Sequence, residues 1–157
     1  MEGKTAVHLE SRGEVPASDA ASFVEGFADA WGKSDVDLLL ALLTDDVVLR
    51  QPALPDVQGK AAARETFTKL FRAFPGLHAI VHRWAAHGDV VFIEFTLTAD
   101  FGGHELSWPA VDRLILRDGL AAERVNYFDS RRFLIEILKR PRGWPQLAKS
   151  GLRPTLK

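Results

Sequence analysis

The stretch VVFIEFTLTADF-GG-HELSWPAVDRLILR, residues 90–117, decides the fold. Side chains alternate across a β-strand, and both halves of this stretch alternate. Val91, Ile93, Phe95, Leu97 and Ala99 form an apolar face, against Phe92, Glu94, Thr96, Thr98 and Asp100 on the other. After the Gly102-Gly103 turn, Leu106, Trp108, Ala110, Leu114 and Leu116 share a second inner face with one acid, Asp112. His87-Gly88-Asp89 before the stretch and Asp118-Gly119 after it are further hairpin signals. The reading is four antiparallel strands in series, near 77–86, 90–101, 104–117 and 120–128.

Upstream, Phe23, Val24, Phe27, Ala28 and Trp31 recur at helical spacing behind a start at Pro16, Ser18 and Asp19, with Ser18 as the N-cap. A short apolar helix from Asp37 follows, then a strand over Val47–Gln51 with Val47, Leu49 and Gln51 inward, a loop from Pro52 to Gly59, and a helix from Lys60 to Phe74. Trp84 is expected to pack under a helix. A last helix runs from Arg131 to Arg140. The expected organisation is a loose arm over 1–17, one domain over 18–140 and a C-terminal tail over 141–157, whose Trp144 either covers a neighbouring subunit or folds back.

Register ties the last two strands together. A two-residue Asp118-Gly119 turn sets Asp112 opposite Val125, whereas a three-residue, bulged turn sets it opposite Asn126. The second is preferred, because it joins two polar side chains on the inner face.

Composition excludes several functions. The chain has 157 residues, a formal net charge of -1 and no cysteine. One domain of ordinary size follows. Disulfides, thiol catalysis and Cys-ligated zinc are excluded, and neither nucleic acid nor a membrane is an expected partner. The opening residues lack a signal-peptide core, so a cytoplasmic location is the expectation. His78 and His82 share a strand face but stand about 13 Å apart, too far to hold one metal. No metal or other cofactor is expected.

The element order, with Gly-Lys-Ser-Asp at 32–35, Asp45-Asp46-Val-Val, Gly59 before a helix, Val111-Asp112 and Val-Asn-Tyr-Phe-Asp129, resembles the SnoaL-like, ketosteroid-isomerase-like branch of the nuclear-transport-factor-2-like superfamily. The resemblance covers residues 18 to 138. It implies an α+β fold, a cone-shaped curved antiparallel sheet wrapped round N-terminal helices with a hydrophobic pocket at the wide end. The positions of the ketosteroid isomerase Tyr and two Asp residues hold Phe27, Pro109 and Gln51. Those of the limonene epoxide hydrolase set hold Leu97, Phe95 and Asn126. The His and Asp of SnoaL-type cyclases correspond to Asp112 and Asn126, fourteen apart, with the acid at the other position.

Asp112 and Asn126 are therefore the candidate catalytic residues, Asp112 as general acid/base in an apolar cavity and Asn126 as a group that polarises a carbonyl. Gln51, Phe27, Trp31, Phe95, Trp108 and Arg124 are the candidate ligand-binding residues. Two alternatives stand beside this. Asp112 is a structural acid bonded to Arg124 or to backbone, or Arg124 receives an anionic ligand group. Three functions follow: a cofactor-independent isomerase, cyclase or hydrase acting on a small hydrophobic carbonyl compound, a non-catalytic binder of such a molecule, or an interaction module. A homodimer through the outward Phe92, Val111, Ile115 and Tyr127 is expected in each.

Overall fold

The computed structural model describes residues 17–155, so most of the expected arm lies outside the described residues. Helix α1 (Ala17–Lys33) already contains Ser18, in its first turn rather than before it. α1 buries Phe23, Val24, Phe27, Ala30 and Trp31 along the stripe that their spacing demands. Helix α2 (Val36–Ala41) starts at Asp35, whose carboxylate accepts from the Leu38 N–H at 3.0 Å. Strand β1 (Leu43–Arg50) follows. A two-residue strand β2 (Val57–Gln58) then pairs with β1 inside what reads as a pure loop. Helix α3 (Lys60–Ala73) places Ala63 and Phe67 in the core.

Strands β3 (His78–His87), β4 (Val90–Phe101), β5 (His104–Arg117) and β6 (Leu120–Tyr127) form the expected meander. The sheet is curved and unclosed, in the order β2-β1-β6-β5-β4-β3. One pairing departs from the antiparallel expectation. β1 lies parallel to β6, with Leu49 opposite Arg124 and Arg50 opposite Val125. Val91, Ile93 and Phe95 on β4 and Leu114 on β5 are at most 1% exposed, so the alternation assigned the inner faces correctly.

Two strands carry bulges, one unforeseen and one displaced from the expected turn. On β3 the pairing slips at His82, and the inward positions pass from Ala79 and Val81 to Trp84 and Ala86. Trp84 stays 42% exposed instead of packing under a helix. On β6 the slip falls at Ala122, so Ala121 and then Arg124 and Asn126 point inward. The Asp118-Gly119 turn itself has only two residues, with Arg117 paired to Leu120 and φ values of 53° and 77°. Asp112 does pair with Asn126, but the extra residue sits within the strand rather than in the turn.

Helix α4 (Ser130–Leu138), capped by Asp129, crosses the open end. The tail does not trail away. A 3₁₀ turn (Pro141–Gly143) leads into helix α5 (Trp144–Ser150), where Pro145 is tolerated because the first turn needs no N–H. α5 packs against α3, and the Gln146 amide donates to the Arg72 carbonyl. Trp144 is 45% exposed, and its Nε1 donates to the Ile137 carbonyl at 2.9 Å.

At Gly119 nothing lies within 4 Å of an added Cβ, so a substitution there meets only backbone strain. Gly119→Ala is expected to cost about 1 kcal/mol in urea unfolding, and Asp118→Gly to cost less.

Candidate functional site

The polar centre forms where β5 and β6 pair. Asp112 is fully buried, with Arg124 6% and Asn126 4% exposed. A carboxylate in that position needs donors for both oxygens, and it has them. Arg124 Nε donates to Oδ2 at 2.5 Å and Asn126 Nδ2 donates to Oδ1 at 2.7 Å. The Arg124 guanidinium also lies over the Trp31 ring, 5.6 Å from its centroid, a favourable cation–π placement.

Above this cluster opens a cavity of about 310 Å³. Of the eight site residues expected from sequence, Gln51, Trp31, Trp108, Arg124 and Asn126 line it. Asp112, Phe27 and Phe95 do not; they lie packed away from its surface. Phe27 and Phe95 meet edge-on with centroids 5.4 Å apart, and Phe27 stands 6.2 Å from Trp31. These two rings support the wall instead of forming it. Asp112, likewise, points inward as expected but reaches the cavity only through Arg124 and Asn126.

Much of the lining comes from residues that sequence reading overlooked. Phe74, Phe128 and Phe133 complete an aromatic wall with Trp108, whose ring centroid is 4.7 Å from that of Phe133. Leu147, Leu152 and Thr155 bring the C-terminal segment over the opening. There the Thr155 N–H donates to the Ala53 carbonyl at 2.8 Å, joining the end of the chain to the β1–β2 loop. Of this wall only Trp108 was expected from the sequence; Phe74 at the end of α3, Phe128 after β6 and Phe133 in α4 were not. Its far side depends on how the tail folds back.

The polar groups of the lining are few: Gln51, Asn126, Arg124, Ser130, Arg131 and Thr155. None is a carboxylate, an imidazole or a phenol. Such a lining holds and orients an apolar molecule and donates hydrogen bonds to it. Among the described residues no three His, Cys, Asp or Glu side chains gather as metal ligands. A second, shallower hollow lies beside the Gly102-Gly103 turn and Arg142. Gly143 is packed tightly on Phe101 beside it, and no cluster of buried polar groups converges there.

Comparison with known proteins fits this geometry. The family model of the SnoaL-like domain matches residues 24–124. The fold is similar to that of a candidate SnoaL-like polyketide cyclase from Jannaschia sp. CCS1, at 22% identity over 83% of this chain and 99% of that one, with a TM-score of 0.71. It is also similar to TerC co-crystallised with polyporic acid, at 18% identity over 76% and 98%, with a TM-score of 0.70. The fold is similar, too, to that of an LEH-like epoxide hydrolase from M. tuberculosis, at 23% identity over 78% and 92%, with a TM-score of 0.66. No curated protein sequence matches the chain.

Removing the carboxylate leaves the Arg124 charge buried without its partner. Asp112→Asn is therefore expected to lower stability by about 3–5 kcal/mol. Replacing both partners, as Asp112→Leu with Arg124→Met, is expected to cost clearly less than the single change, in parallel urea titrations.

Proposed function

The chain belongs to the SnoaL-like domain family, and from that premise we propose that its cavity binds a small, flat, hydrophobic carbonyl compound, with Arg124 and Asn126 as the main polar contacts. The observation that carries this reading is the state of Asp112. Both its oxygens are occupied and it does not line the cavity. A general acid or base must come within hydrogen-bond reach of the proton it moves, and this carboxylate is separated from the cavity by its own partners. The wall, by contrast, is apolar and largely aromatic, with Phe74, Trp108, Phe128 and Phe133 among its lining, and suits an aromatic or cyclic body. Binding without turnover is thus the reading that the geometry supports best.

A second reading keeps the family's isomerase- or cyclase-type chemistry. Its support is Arg124, a guanidinium in an apolar wall, which would stabilise an enolate as it forms. In that case a ligand displaces the Asp112 contacts and Asp112 moves the proton, with no cofactor. We also infer a homodimer through the outer sheet face. Ile80, Phe92 and Tyr127 are there 55%, 43% and 52% exposed, and Val111 and Ile115 are half-buried between the strands.

Binding is measured by tryptophan fluorescence with aromatic ketones, since Trp31 and Trp108 line the cavity. Leu97→Trp, which fills it, is expected to weaken binding at least about tenfold; an unchanged affinity in a folded variant would place the ligand elsewhere. Detectable turnover that Asp112→Asn abolishes while binding persists would favour the second reading. Phe92→Lys is expected to convert the dimer to monomer in sedimentation, and a wild-type monomer would refute the dimer.

A further inference from the structure

We propose that Asp112 is a positioning residue, and that it sets the cavity to recognise a carbonyl acceptor standing beside an N–H or O–H donor on one ligand. The inference rests on the binding reading above and deepens it.

An ionised carboxylate only accepts hydrogen bonds. Asn126 must therefore turn its amide nitrogen toward Asp112, as the 2.7 Å bond from Nδ2 records. The amide oxygen is then directed away from Asp112. Arg124 meets the same carboxylate through Nε, so its two terminal nitrogens remain as donors. Among the described residues neither Asn126 Oδ1 nor the terminal nitrogens of Arg124 have a protein partner. None of these atoms is a buried group left without one either. Both residues line the cavity. The free oxygen and free nitrogens are thus the atoms they offer to its interior.

These groups stand close together. Arg124 and Asn126 are two apart on β6, about 7 Å between Cα atoms, and both side chains converge on the two oxygens of one carboxylate. The guanidinium carbon lies over the Trp31 ring, 5.6 Å from its centroid, and that ring limits where the group can move. A ligand that satisfies both needs an acceptor and a donor on neighbouring atoms. A carboxamide has this pattern, its oxygen accepting and its N–H donating from the same carbon. An ester of the same shape accepts from Arg124 but leaves Asn126 Oδ1 facing an apolar body, and an unpaired buried acceptor is costly. Discrimination against a ligand that lacks the hydrogen-bonding group is a strong effect in a site built this way.

The test uses the full chain and two probes of similar shape, 2-naphthamide and methyl 2-naphthoate, each titrated by tryptophan fluorescence. The amide is expected to bind roughly tenfold tighter than the ester. Equal binding of the two would overturn this inference and leave the cavity reading standing. No binding by either probe would overturn both. Asp112→Asn releases the amide of Asn126 to turn either way. In the folded variant, verified by circular dichroism, the preference over the ester is expected to fall below about threefold. A purely structural role would lower the melting temperature and leave the preference intact. Asn126→Leu, close in shape, removes the acceptor and is expected to erase the preference as well; a preference retained in both variants would overturn the inference.

Discussion

A carboxylate sealed from water must be met by donors, and in this protein that demand organises the inner face of the sheet. Asp112 sits at the middle of β5, and its two oxygens draw Arg124 and Asn126 from β6. The contact requires those two strands to be in one register. A slip of one residue would turn Arg124 and Asn126 outward and leave the acid alone among Ile93, Leu114 and the neighbouring rings. The bulge at Ala122 supplies the correct register, and the tight Asp118-Gly119 turn supplies the reversal. Burying an ion pair contributes little net stability against a well-packed apolar alternative. Its effect here is on alignment.

Round that cluster the aromatic residues divide into two sets. Phe27 and Phe95 are buried against each other and, through Phe27, against Trp31, behind the cavity wall. Phe74, Phe133 and Trp108 stand together farther out, with Phe133 carried by α4. The result is a hollow with a greasy outer wall and a small polar base, suited to a ligand with one polar edge.

Much of this was legible from residue order. Strict alternation in 90–117 marked two buried strands, and the single acid on the inner side of the second drew attention to itself. Gly102-Gly103 and Asp118-Gly119 announced reversals through their need for positive φ. The extra residue between β5 and β6 was legible from the match of Asp112 to Asn126, but its place at Ala122 within the strand was not, and the bulge at His82 left no trace at all, because an extra residue is defined by the partner strand. Beyond His82 the inward positions of β3 change parity, whereas on β6 Arg124 and Asn126 keep the inner face expected of them. The helix in the tail was concealed by Pro141 and Pro145, which read as breaks but occupy the first turns of new helical segments. The lining contributed by Leu147, Leu152 and Thr155 was lost with it. The separation of Asp112 from the cavity surface could not be inferred from a face assignment at all, since facing inward and reaching a hollow are different properties.

The parallel pairing of β1 with β6 has a consequence for how the chain comes to be folded. β1 is made early and its neighbour late, with Leu49 waiting for Arg124. The hairpins from β3 to β6 are local and close quickly, whereas joining β1 to them demands the closure of a long loop. During synthesis the apolar side of β1 has only the early helices to lean on until the last strand leaves the ribosome. The seam between β1 and β6 is accordingly the step on which assembly waits, and the place where a partly made chain is most open to misassociation.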